Sequence, residues 1–369
     1  MRCIDERNDL AGKVVLVRAG LNIPMRDGVV VDDFRIRKAL PTLRFLQEQG
    51  AKTIVIAHIG RDPKESLRGV ADALATHIAV TFTKREALNV ESMEDGETVL
   101  LENLRQDPRE IANADSLAQE LAQFADLFVQ DAFSVCHREH ASIVGIPKYL
   151  ESYGGLLLKA EVSVLTRALQ PEHPSLFILG GAKFATKEPL IRKFLDVYDS
   201  VFIGGALQNE VLAASGIAVG QSVIEDGAVP AEILDHPNLQ GIDDVVVERS
   251  DKSTENVQKD AVGNTDTIVD IGERTVDSLI DTLEDGAYKT ILWNGPLGWY
   301  EKGYSMATTR LAHAIIKSGA DTIVGGGDTV AAIQKEGIEE DFGFVSTGGG
   351  SMLQFLQNGT LPGIESLGR

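Results

Sequence analysis

Short apolar runs rich in β-branched residues alternate with longer amphipathic stretches almost from one end of the chain to the other. Lys13 to Val17, Thr53 to Ala57, Val99 to Leu101 and Leu127 to Val129 read as strands, while Leu40 to Gln49 and Ser116 to Ala125 carry apolar residues at helical spacing. From about Ser175 the alternation resumes, with helices expected at Glu188 to Leu195, Ser278 to Leu283 and Thr308 to Ser318. Such alternation predicts βαβ units and parallel sheets. A chain of 369 residues is too long for one such core and fits two. The expected fold is therefore α/β, with two doubly wound parallel-sheet domains, residues 1–153 and 170–350, joined by a helix and hinge. Gly154 to Leu169 reads as that helix, unbroken and amphipathic, and it stops at the Pro171 to Pro174 break. Asp251 to Thr265 is polar and without period, and reads as a surface loop.

The two halves end their apolar runs in different chemistry. In the first, Val55-Ile56-Ala57 leads into His58 and Arg61, Val99-Leu100-Leu101 into Arg105, and Leu127-Phe128-Val129 toward His137, Arg138 and His140. In the second, comparable runs lead into Gly180-Gly181, Gly204-Gly205, Gly325-Gly326-Gly327 and Gly348-Gly349-Gly350. Open α/β sheets bind ligands at the carboxyl ends of their strands. The contrast therefore predicts two sites, one gripping an anion through side chains and one holding phosphates through bare backbone. Net charge sharpens the first: with a formal charge of −20, converging arginines and histidines must attract an anion against the field of the whole molecule. The same charge argues against nucleic-acid and anionic-membrane partners. No run approaches the roughly 20 apolar residues that span a bilayer. The amino terminus lacks the pattern of an export signal, and Cys3 and Cys136 are the only cysteines. The expectation is a cytoplasmic protein with no membrane partner.

A glycine pair after a strand is as often a tight turn as a ligand loop, but four clusters in one domain favour phosphate binding, because backbone N–H groups approach oxygens where no Cβ intervenes. Neither a Walker loop nor a G-x-G-x-x-G fingerprint is present. Lys183 and Lys187 follow Gly181 at i,i+4 spacing, on one face of a helix that Thr186 would cap and whose first turn would hold Pro189; two solvated lysines are the plainer alternative. Asp328, directly after three glycines, suits Mg²⁺ beside substrate phosphates, or else a helix N-cap.

Taken together, these residues resemble a known family. Asp32-Asp33-Phe34-Arg35-Ile36-Arg37, His58-Ile59-Gly60-Arg61, Glu102-Asn103-Leu104-Arg105, Asp131-Ala132-Phe133 and His137-Arg138-Glu139-His140-Ala141-Ser142 resemble, in order, the substrate-side motifs of the phosphoglycerate kinases. Gly180-Gly181-Ala182-Lys183, Trp293-Asn294-Gly295-Pro296, Gly325-Gly326-Gly327-Asp328-Thr329 and Ser346-Thr347-Gly348-Gly349-Gly350 resemble their nucleotide-side motifs. The resemblance implies a phosphotransferase of glycolysis, with a phosphoglycerate-binding amino-terminal domain, a nucleotide-binding carboxy-terminal domain and a segment, 351–369, that returns to the first. It implies Mg²⁺ as cofactor, ADP or ATP as co-substrate, a monomer, and in-line transfer after domain closure. Carried over by motif, Asn22, Arg35, His58, Arg61, Arg105 and Arg138 would bind phosphoglycerate. Arg35 and Lys183, with Gly348 and Gly349, would serve the transfer itself. Gly181, Lys183, Lys187, Gly204, Gly205, Asn294, Pro296, Glu301, Gly326, Gly327, Asp328 and Thr329 would bind nucleotide, Asp328 through the metal and Glu301 at the ribose.

The chain departs from the family pattern at its recognition edges. Ala19-Gly20-Leu21-Asn22 stands where the family has Val-Asp-Phe-Asn, so a carboxylate expected on the substrate hydroxyl is missing. Gln130 and Ser134 replace an asparagine and a glycine around Asp131-Ala132-Phe133. Thr265-Asp266-Thr267-Ile268-Val269 replaces the glycine-containing stretch that walls adenine, with Ile268 expected to crowd the base. Gly20 keeps open a paralogous kinase for another small carboxylate, and the divergence as a whole keeps open a non-catalytic nucleotide-binding paralogue.

Overall fold

The computed structural model describes residues 1–225 and 229–368. The chain divides into two compact units, Met1–Ser163 with Asn358–Arg369, and Val164–Gln357. Arg369 lies outside the described residues.

The first unit is built on strands β1 (Val14–Ala19), β4 (Lys52–Ile56), β5 (Thr81–Thr83), β6 (Thr98–Leu101), β7 (Leu127–Asp131) and β8 (Glu151–Gly154), with a small hairpin of β2 (Met25–Arg26) and β3 (Val29–Val30). The six strands form one parallel sheet in the order β5-β6-β4-β1-β7-β8. Their nearly continuous apolar runs follow from that arrangement, since a parallel sheet covered by helices is buried on both faces. Val15, Val17, Val55, Leu100 and Val129 pack there with Ile36, Leu43 and Leu46 of the helix Phe34–Glu48. The chain leaves β1 toward β4 on one side and β7 on the other, which makes the carboxyl ends of β1, β4 and β7 the switch point of the sheet.

The second unit holds β9 (Ser175–Leu179), β10 (Ser200–Ile203), β14 (Thr290–Asn294), β15 (Asp321–Gly325) and β16 (Phe344–Val345) in a parallel sheet ordered β10-β9-β14-β15-β16. Its switch point lies between β9 and β14. Phe177, Phe194 and Tyr198 stack in its core, with Phe177 and Phe194 edge to face at 4.7 Å.

Two expectations are corrected. The helix expected from Gly154 begins at Leu156 and ends at Ala168, because Gly154 closes β8, paired with Gln130 of β7. Asp251 to Thr265 is not a loop. Thr254–Gln258 is strand β12, joined to β11 (Asp244–Glu248) and β13 (Thr267–Ile271) in an antiparallel sheet ordered β12-β11-β13. Of β12's residues only Val257 is buried, so the strand carries no alternation to read.

Residues 351–357 stay with the second unit, where Met352, Phe355 and Leu356 of the helix Gly350–Asn358 are buried and Lys193 Nζ donates to Leu356 O at 2.8 Å. From Asn358 the chain belongs to the first unit. There Gly363 N donates to Cys136 O at 2.8 Å, Ser366 Oγ reaches Ile143 O at 3.4 Å, and Leu361 and Leu367 are buried.

Candidate active site

In the first unit, the loops after β1, β4, β6 and β7 bring Asn22, His58, Arg61, Arg105, His137 and Arg138 to one edge of the sheet, and Arg35 joins them from the start of the helix Phe34–Glu48. Asn22 ties two of these pieces together: its Oδ1 accepts from Gly60 N at 2.8 Å and its backbone carbonyl accepts from Arg35 Nη1 at 2.8 Å. Asn103 fixes the next loop, its Nδ2 donating to Ile59 O at 3.1 Å and Glu65 O at 2.9 Å. Arg105 is held by Gly60 O through Nη1, while its Nε is buried without a partner among the described residues. Arg61 is exposed.

The residue that organises this cluster is Arg18, which sequence reasoning missed. It is a fully buried guanidinium inside β1, bonded through Nε to Ser142 Oγ at 3.0 Å, through Nη1 to Ala19 O at 2.5 Å and through Nη2 to His58 Nδ1 at 2.9 Å. Glu110, also buried, accepts from Ser142 N at 2.9 Å and Ser142 Oγ at 2.5 Å. Burial pushes the Arg18 guanidinium down to about 10, with Glu110 opposing. A guanidinium has only donors, so His58 Nδ1 must accept and the ring must carry its proton on Nε2. Burial first, then Arg18, Arg105, Arg138 and Arg35, drive the His58 pKa far below its ordinary value, so the imidazole stays neutral. Arg35 is likewise pushed down by burial, with Glu161 and Asp32 opposing. The cations repel one another and are only partly offset by Glu110, Glu161 and Asp32, an arrangement suited to an anion. The one sequence signal for Arg18 was a single charge inside the run Val14-Val15-Leu16-Val17-Arg18-Ala19.

In the second unit, the glycine loops after β9, β10, β14 and β15 enclose a cavity of about 510 Å³. The loops are glycine first because they pack on one another. A Cβ at Gly180 would collide with the carbonyls of Pro296 and Gly295, and one at Gly205, where φ is 61°, would stand 2.7 Å from Gly181 N. Gly181, Lys183, Lys187, Gly205, Asn294, Pro296, Glu301, Gly326, Gly327, Asp328 and Gly349 all line the cavity. Three expected site residues do not. Gly204 backs Leu297, Gly348 is buried with its N–H turned to Ser346 Oγ at 3.1 Å, and the buried Thr329 hydroxyl accepts from Gly295 N at 2.9 Å.

Neither the expected cap nor the proline position holds. The helix Phe184–Val197 is entered through Lys183 itself, in the left-handed region at φ 67°, while Thr186 lies inside, its hydroxyl donating to Lys183 O at 2.8 Å. Pro189 falls in the second turn. Lys183 is exposed, whereas Lys187 is largely buried and donates to Gly180 O at 2.8 Å; burial pushes its pKa down to about 8. Asp328 is not a cap either, since Gly326 occupies that position. Burial, then the neighbouring Glu301 carboxylate, raise the Asp328 pKa. A carboxylate set among glycine loops, with a second carboxylate near enough to raise its pKa, suits a divalent cation. Ile268 and Val269 form part of the cavity wall.

A family model described as phosphoglycerate kinase matches residues 4–359. The phosphoglycerate kinase of Leptospira biflexa is 36% identical, the match covering 98% of this chain and 97% of that protein. That of Thermus thermophilus is 39% identical, over 97% of this chain and 98% of that protein. The structure of phosphoglycerate kinase from Coxiella burnetii superimposes with a TM-score of 0.84 at 34% identity, covering 99% of this chain and 98% of that one. The crystal structure of phosphoglycerate kinase from Pyrococcus horikoshii gives 0.86 at 28% identity, covering 100% and 98%.

Proposed function

The chain belongs to the phosphoglycerate kinase family, and on that footing we propose that it moves a phosphoryl group reversibly between 1,3-bisphosphoglycerate and MgADP, giving 3-phosphoglycerate and MgATP. The observation that carries the assignment of its substrate residues is the convergence of Arg18, Arg35, Arg105 and Arg138 on a neutral His58. Guanidinium forks match carboxylate and phosphate oxygens, and phosphoglycerate offers both. His58, with its proton fixed on Nε2, donates one further hydrogen bond without adding charge. Asn22, Arg61, Arg105 and Arg138 bind the substrate, Arg18 holds His58 in place from inside the sheet, and Arg35 stands at the transferring group.

Phosphoryl transfer runs through a loose transition state with charge spread over the equatorial oxygens, so positioning and charge stabilisation do the chemistry. Lys183 supplies a cation from the nucleotide side, and the backbone of Gly349, with Lys187, holds the nucleotide phosphates. Asp328 would hold Mg²⁺, which would shield phosphate charge; Glu301 takes the ribose hydroxyls. Among the described residues no helix is long and apolar enough to cross a membrane. The net charge of −20 supports the absence of a nucleic-acid partner, and two free cysteines support a cytoplasmic setting.

A coupled assay with 3-phosphoglycerate and ATP tests the reading. Transfer by the wild type is expected, with Arg35→Ala or Lys183→Ala lowering turnover by roughly 10³–10⁵, the range for transition-state cations. Wild-type turnover in either variant removes that residue from the transfer step.

A further inference from the structure

We propose that Glu110 is a positioning residue for the substrate cluster: acting through Ser142 and Arg18, it holds His58 with its Nε2–H free for the substrate anion. The proposal rests on the kinase reading for the identity of that anion. Glu110 sits in the loop after β6 that also carries Arg105, and its partners lie in the loop after β7 that carries Arg138. Three contacts fasten one loop to the other. Glu110 O accepts from Ala141 N at 3.0 Å, Oε2 from Ser142 N at 2.9 Å, and Oε1 from Ser142 Oγ at 2.5 Å.

From Ser142 the contacts run inward to the cluster. A carboxylate only accepts, so the Ser142 hydroxyl gives its one hydrogen to Glu110 and turns a lone pair to Arg18 Nε, 3.0 Å away. Arg18 only donates, and its Nη2 stands 2.9 Å from His58 Nδ1. Every hydrogen bond on the line from Glu110 to His58 therefore has a fixed direction, and the line ends with the imidazole proton on Nε2. Glu110, Ser142, Arg18 and His58 are all buried, so bulk water does not stand in for a lost member. Packing alone does not call for such an arrangement. Burying a carboxylate and a guanidinium is costly, and apolar residues of the same volume often stabilise a core at least as well. What the charged pair supplies is a set direction at His58. Glutamine at 110 would keep the volume but offer a donor beside its acceptor, and the serine hydroxyl would no longer be compelled to face away from Arg18.

The test follows the His58 ring by ¹⁵N NMR alongside steady-state kinetics. Wild-type His58 is expected as a single tautomer protonated on Nε2, with no titration between about pH 5 and 8, the range in which an ordinary histidine changes charge. Glu110→Gln should introduce the Nδ1–H tautomer and raise the KM for 3-phosphoglycerate about tenfold, the worth of one hydrogen bond to a charged group, while the KM for ATP stays unchanged. Ser142→Ala should do the same, and the double variant should go no further than either single one, because both changes break one line of contacts. Ser142→Ala leaves both buried charges in place and so serves where Glu110→Gln does not fold. An Nδ1-protonated ring in the wild type overturns the proposal without any variant. So does a folded Glu110→Gln whose His58 tautomer is unchanged, or whose KM for 3-phosphoglycerate is unchanged or lower, the last marking a carboxylate that merely competes with substrate for the arginines. Additive effects in the double variant also overturn it, since Glu110 would then not act through Ser142. Should the wild type fail to phosphorylate 3-phosphoglycerate, the substrate assignment falls alone, because the His58 tautomers still decide the role of Glu110.

Discussion

Gly20 shows how one residue constrains its neighbour. A Cβ there would lie 3.3 Å from Ser134 Oγ and 3.6 Å from Ala132 Cα, so the space an aspartate would need is already occupied by a hydroxyl. We expect Gly20→Asp alone to leave the KM for 3-phosphoglycerate unchanged or raised, and Gly20→Asp with Ser134→Gly to lower it several-fold, the worth of about one hydrogen bond. Steady-state KM values for the pair of variants decide it; a drop with Gly20→Asp alone would show that Ser134 imposes no constraint. Lys187 gives a pH dependence at the same scale. Its pKa near 8 means the ammonium is present below pH 8 and lost above it, so if Lys187 meets a nucleotide phosphate as proposed, binding above that pH requires proton uptake. The Kd for ADP should rise up to tenfold per pH unit beyond pH 8, and Lys187→Arg should remove that rise in calorimetric titrations. Asp328 was legible because it follows glycines at a strand end, and Arg35 only through the motif it shares with the family. Arg18 was not, because its meaning depends on Ser142 and His58, which only the fold places against it.

At the scale of elements, the apolar runs of both parallel sheets were readable because burial on both faces leaves no polar residue to break them. The antiparallel sheet was half hidden, since β12 presents a single buried side chain and its polar residues resemble a loop. The glycine loops carried a double meaning that spacing cannot separate: they offer backbone to phosphates, and they also let β9, β10 and β14 loops touch. Gly180 belongs to the second purpose as much as the first. Gly180→Ala forces a methyl group against backbone carbonyls that have no room to turn, an overpacking of about 1–3 kcal/mol. Denaturant unfolding of the second unit should shift to lower midpoint by that amount, with nucleotide affinity falling alongside; an unchanged midpoint would show that the loops yield.

For the molecule as a whole, the ligand sets belong to separate units, so ligands should stabilise separate regions. Hydrogen exchange with 3-phosphoglycerate alone is expected to protect 18–22, 58–61, 102–105 and 133–142, and ADP alone 180–187, 204–209 and 326–329, each by an amount set by its own occupancy. Protection by either ligand spread evenly over both regions would contradict the division. One further property of the division concerns how the protein is made. The first unit is closed by residues 358–368, which rest on Cys136 and Ile143 in the very loop that carries His137 and Arg138. A ribosome therefore emits the entire second unit before it emits the last pieces of the first. On the proposed reading, a nascent chain would gain its nucleotide pocket early, while its grip on phosphoglycerate waits on translation reaching the residues that brace it.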